Sequence, residues 1–87
     1  MSRQRTIEVI SEADIVTIGE LVRLTSVRYS TLKFYTEEGM LPYEAAEEKL
    51  TRRFRRVESI ERISFIKTLR EQGKMISQIK DILDEYK

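Results

Sequence analysis

Residues 17–42, TIGELVRLTSVRYSTLKFYTEEGMLP, decide how the chain folds. Thr17 followed by Glu20 is a capping-box pattern, in which the hydroxyl oxygen accepts from a helix-start N–H and the carboxylate reaches back to the N–H of the cap itself. Ile18, Leu21 and Val22 then fall on one face at helical spacing, which predicts a first helix over about 18–24. Thr25-Ser26-Val27 is too short for a loop and too polar for a helix centre, so it reads as the turn between two helices. The second helix is predicted over 29–38, where Gly39 offers a left-handed stop and Pro42 prevents resumption.

On the second helix, Leu32 and Tyr35 share a face that should be core, with Val27 anchoring the turn beneath them. Tyr29, Ser30, Lys33, Phe34 and Glu37 lie roughly opposite and should meet solvent or a partner. An exposed aromatic beside a lysine can lie against sugar, stack, or touch a thymine methyl while the cation reaches phosphate. The alternative is that Phe34 closes the core against a neighbouring element.

The order I-G-E-L (Ile18 to Leu21), short turn, T-L-K-F-Y (Thr31 to Tyr35), acidic pair and G-M-L-P (Gly39 to Pro42) resembles the N-terminal winged helix-turn-helix of the MerR superfamily of transcription regulators. Each piece alone is a weak motif, but their order and spacing together are fairly specific. The likeness continues to about Leu83. It implies a mainly α fold, a winged helix-turn-helix of four helices with a short β-hairpin wing, formed by residues 15–87 behind an arm of residues 1–14. It also implies sequence-specific binding of double-stranded DNA in transcriptional regulation.

After Pro42 the helical period stops. Residues 43–56, YEAAEEKLTRRFRR, read as a hairpin returning along itself, because the superfamily's spacing from Pro42 to an aromatic is met by Phe54. No glycine marks its tip, and a helical 44–49 is the competing reading. Arg52, Arg53, Arg55 and Arg56 surround Phe54 with four guanidinium groups. Guanidinium forks suit phosphate oxygens, and a cluster can neutralise one backbone stretch together and release counterions. Pairing with nearby acids such as Glu58 and Glu61 is the blander role. The resemblance adds that the wing commonly carries an arginine before its aromatic, the position of Arg53.

Residues 57–72 are predicted as the longest helix, with Ile60, Ile63, Ile66 and Leu69 as its buried stripe, Phe65 widening it, and Gly73 as its stop. A last helix over about 76–86 presents Ile76, Ile79, Leu83 and Tyr86 on one side. These two helices should pack as a hairpin, and their apolar residues are core rather than binding surface. Ahead of the motif, Thr6 to Ile10 is strand-like, and Ile7 with Val9 would share one face of an extended segment. It reads either as a disordered arm whose Arg3 and Arg5 touch DNA, or as an apolar segment that packs on a second copy of the chain.

Composition bounds the rest. Eighty-seven residues make one small domain, able to bury only about 60–65% of its unfolded surface. An active-site cleft with its own substrate pocket would be hard to fit, and no small-molecule effector pocket is evident. With no Cys and no His, thiolate metal sensing, zinc ligand sets and His-based general bases are excluded. An enzyme is therefore not expected, nor a cofactor or metal. No apolar run approaches the roughly 18 residues of a membrane span, so the expected location is the cytoplasm. The net charge is only +1, which makes the placement of charges, rather than their sum, the argument for DNA.

The chain departs from the family pattern at several positions. Ser26 stands where a turn glycine is usual, Arg28 where a Ser cap is usual, and Met75 where a Ser or Thr usually caps the last helix. Lys33 replaces an arginine and Phe34 the first of two tyrosines, which removes a bidentate donor and a hydroxyl. Glu47 and Glu48 make the wing tip acidic. The dimerisation helix and effector module of the regulators it resembles are missing from the chain, which leaves a piece of a longer protein or a stand-alone architectural protein of excisionase type.

The site expected from these readings is Tyr29, Ser30, Lys33 and Phe34 in the major groove, with Arg52, Arg53, Arg55 and Arg56 on phosphates. Arg28 could join either set, and a homodimer on a two-fold site would supply the surface that one small module lacks. An architectural role in recombination or plasmid segregation, and a protein-interaction module docking through Tyr29 and Phe34, are the alternatives.

Overall fold

Helix α2 (Ile18–Thr25) opens with the complete capping box: Thr17 Oγ1 accepts from the Glu20 N–H at 3.2 Å, and the Thr17 N–H donates to Glu20 Oε1 at 2.9 Å. Helix α3 (Tyr29–Glu37) follows after a turn in which Ser26 takes the left-handed conformation, with φ of 61°. The computed structural model describes residues 4–45 and 52–85. Thr25 secures the turn from within, its hydroxyl donating to the Leu21 carbonyl at 2.7 Å and accepting from the Val27 N–H at 3.2 Å.

Gly39, at φ of 76°, reverses the chain after α3. The Met40 and Leu41 N–H groups both return to the Tyr35 carbonyl, at 2.8 and 3.2 Å, which drives the two side chains into the core. Strand β2 (Glu44–Ala45) then pairs antiparallel with β3 (Arg52–Arg55), Glu44 opposite Arg53. This is the expected hairpin, and residues 44 and 45 are extended rather than helical. Its tip, with Glu47 and Glu48, lies outside the described residues.

Strand β3 has a second partner that the sequence reading did not anticipate. β1 (Ile15–Val16) pairs with its other edge, Val16 opposite Phe54, giving a three-stranded sheet in the order β1-β3-β2. The pairing explains why so short a strand is stable: Val16 and Phe54 are both buried in the core, and the Arg56 N–H continues the ladder to the Asp14 carbonyl at 2.9 Å.

The strand-like reading of Thr6 to Ile10 is corrected. These residues form a one-turn helix, α1 (Ile7–Ile10), whose cap is the Thr6 hydroxyl accepting from the Val9 N–H. The residue that matters is Ile10, fully buried, while Ile7 and Val9 stay exposed. Burying one side chain at the end of a turn outweighed the β preference of the run, because tertiary packing decides for segments this short. Arg5 does not extend toward a ligand either. It grips Glu20 with two hydrogen bonds, of 2.7 and 2.6 Å, and Arg23 on α2 donates to the Arg5 carbonyl. The segment therefore packs on its own domain.

Helix α4 (Arg56–Glu71) ends before Gly73, at φ of 85°, and α5 (Ile76–Glu85) packs against it. Met75 cannot cap α5 with its side chain, and the helix start is closed from the other side, by Gln78 Oε1 accepting from the Met75 N–H at 2.8 Å. Ile63, Ile66, Leu69, Ile79 and Leu83 are buried as expected, with Ile60, Phe65 and Ile76 packed at the margin. They join Leu21, Leu32, Tyr35 and Phe54 in one continuous core. Lys80 on α5 pairs with Glu38 at the end of α3 at 3.1 Å.

Candidate nucleic-acid interface

The orientation of α3 follows from what it buries. Leu32 is fully enclosed and Tyr35 nearly so, and Thr36 completes the inner face by donating its hydroxyl to the Leu32 carbonyl at 2.8 Å. Tyr29, Ser30, Lys33, Phe34 and Glu37 are all exposed, as the helical period required. Tyr29 is 53% and Phe34 41% accessible, which places both rings on the surface rather than in the core. Phe34 leans against the buried Tyr35, ring centroids 6.2 Å apart and tilted by 58°.

Arg28 occupies the N-cap of α3 and makes no side-chain cap, so its guanidinium is not spent on the helix. Among the described residues neither Arg28 nor Lys33 has an ion-pair or side-chain hydrogen-bond partner. An exposed helix face with a cation at its N-cap and another in its middle is suited to an anionic surface.

The four arginines around Phe54 do four different things. Strand alternation sends Arg53 and Arg55 to the face opposite Phe54. Arg55 pairs there with Glu44 at 3.2 Å, both side chains more than half exposed, while Arg53 carries no such pair among the described residues. Arg52 lies on the Phe54 face, its guanidinium 5.0 Å above the Tyr43 ring, and Tyr43 in turn sits 6.0 Å from Phe54. Arg56 is half-buried, with Nε donating to the Ala13 carbonyl at 2.7 Å. It clamps the start of α4 to the segment ahead of β1.

Sequence reasoning missed Tyr43 and Arg62. With Arg53, Arg55 and Ser59 they line a shallow cleft of about 280 Å³ between the wing and the start of α4. Arg62 also donates to the Met40 carbonyl at 3.3 Å. The signal for Tyr43 was its position beside Pro42, ahead of the returning strand, and Arg62 was hidden by the distance in sequence. Among the described residues no cluster of acidic side chains could hold a metal, and no helix is long and apolar enough to cross a membrane.

This geometry is that of a winged helix-turn-helix, and known proteins agree. The family profile described as MerR HTH family regulatory protein matches residues 16–86, so the chain belongs to that family. It is also similar to a protein of Chromobacterium violaceum named HTH-type transcriptional activator SoxR homolog, 37% identical over 68 residues. That match covers 78% of this chain and 45% of the relative, so the chain spans about half the length of the curated relative it matches. No solved structure matches the chain significantly.

Proposed function

We propose that the domain binds double-stranded DNA in transcriptional control, working in the cytoplasm, with α3 in the major groove. Tyr29, Ser30, Lys33 and Phe34 would meet base edges and sugars, and Arg28 the flanking phosphate. The observation that carries the reading is the outward face of α3, two aromatic rings and two cations without an ion pair among the described residues, on a helix whose other face is committed to the core.

On the wing, Arg53 and Arg55 are the principal phosphate ligands. Arg53 has no ion pair or side-chain hydrogen bond among the described residues, and the Arg55–Glu44 pair is exposed enough to be exchanged for a phosphate oxygen at little cost. Arg52 contributes while stacked on Tyr43, and Arg56 keeps only its terminal N–H groups for such a role. A homodimer on a two-fold site would double the contact area, and exposed Ile7 and Val9 offer an apolar surface for the second copy.

Selection from a random pool of labelled duplexes at two salt concentrations tests the reading. An enriched two-fold site with steep salt dependence is the expected outcome. Enriched direct repeats would favour an architectural protein. Weak retention that ignores salt would overturn DNA binding and favour a protein partner for Tyr29 and Phe34, whose exposure is what supports that second reading.

A further inference from the structure

Among the exposed side chains of α3, Tyr29, Ser30, Lys33 and Glu37 each carry a polar group, and Phe34 alone carries none. Its ring is 41% accessible, lies outside the buried core, and is steadied on one side by Tyr35. The base edges in a major groove offer hydrogen-bond donors and acceptors to polar side chains, and a single apolar group, the C5-methyl of thymine. A phenylalanine entering the groove would leave any donor or acceptor it covers without a partner, which is unfavourable. Among the base edges, the thymine methyl is the group that can receive the ring without that cost.

From this we infer that Phe34 is a specificity-determining residue that reads the C5-methyl of one thymine in each half-site. The inference rests on the placement of α3 in the major groove. It assigns Phe34 a role separate from that of Lys33, which sits beside it with no partner among the described residues and can address phosphate or a guanine edge. The lost hydroxyl at Phe34 is then a gain of discrimination: a tyrosine at this position could satisfy a polar edge, and phenylalanine cannot.

Deoxyuridine lacks only the methyl and keeps every hydrogen-bonding group of thymine, so it isolates this contact. The experiment takes the duplex selected by the full chain, replaces its thymines one at a time with deoxyuridine, and measures Kd for the wild type and for Phe34→Ala. One position per half-site should weaken wild-type binding about four-fold, as expected for withdrawing one buried methyl. Phe34→Ala should bind the thymine and uracil duplexes equally at that position, with its thermal midpoint close to wild type because the ring is outside the core. Tight wild-type binding that is indifferent to deoxyuridine at every position would overturn the inference and leave DNA binding intact. So would a uracil penalty that persists unchanged in Phe34→Ala. Failure to bind any duplex would instead overturn the DNA reading itself, and this inference with it.

Discussion

Helix α3 and the wing bring cations to the surface by opposite means. On α3 the polar face is what remains after Leu32, Tyr35 and Thr36 are buried, and Arg28 and Lys33 are left unpaired among the described residues. On the wing and at the start of α4, neighbouring arginines are distributed among an aromatic ring, a carboxylate and a backbone carbonyl, with Arg53 unpaired among the described residues. The difference teaches that a cluster of like residues on a strand is not a cluster of like functions. Alternation sends neighbours to opposite faces, and each face then offers its own partners.

The comparison breaks most visibly if the face of α3 is wrong. Leu32→Ala removes a fully buried side chain and should cost about 2–5 kcal/mol, read as a large fall in the thermal midpoint. A melt close to that of the wild type would mean that the helix is rotated from the position described. Lys33→Ala, on the exposed face of the same helix, should leave stability within about 0.5 kcal/mol.

The wing is sharpened by comparing one of its arginines with the one that opens α4. Arg56→Ala should cost about 1–2 kcal/mol, because the part-buried Ala13 carbonyl loses its donor. Arg53→Ala should leave the melt unchanged and lower the salt dependence of DNA binding by roughly one unit. If both variants shift the salt slope equally and neither shifts the melt, the structural role of Arg56 is wrong. The turn of the helix pair gives a smaller effect. Ser26→Gly relieves a left-handed residue that bears a Cβ and should stabilise the fold by about 1 kcal/mol, measured by denaturant midpoint.

How much of this was legible in the sequence depended on the range of the interactions involved. The capping box, the Gly39 reversal and the two faces of α3 are local, set by spacings of a few residues, and they appear where the periodicity put them. The hairpin was found through resemblance rather than through turn chemistry. β1 was not found, because a two-residue strand has no period to detect and is created by its pairing with β3. α1 was misread as extended, since its β-branched residues say nothing about the buried socket that receives Ile10. The different engagements of the arginines were illegible for the same reason. Their partners, Tyr43, Glu44 and Ala13, come from elsewhere in the chain.

The smallest effect concerns the contact that fastens the N-terminal segment to α2. Glu20 accepts from Arg5 and from the Thr17 N–H, and its side chain is only 12% exposed. The Arg5 guanidinium, more than the capping bond, holds the Glu20 carboxyl below its ordinary range despite partial burial, and the Glu20 bond raises Arg5 in return. The two shifts have opposite signs in pH. Stability from Arg5 is full below its ordinary value and fades only as pH rises past the raised one, beyond any working condition. Stability from Glu20 is full above the ordinary glutamate value of about 4.3 and is lost as pH falls through the lowered folded value. Thermal midpoints of wild type and Glu20→Gln, in which the amide keeps an acceptor for Thr17, should therefore differ by a constant amount at neutral pH and converge on acidification. A gap that stays constant into strong acid would show that the contact between Arg5 and α2 rests on hydrogen bonding alone. The charge of Glu20 would then be incidental to fastening the segment.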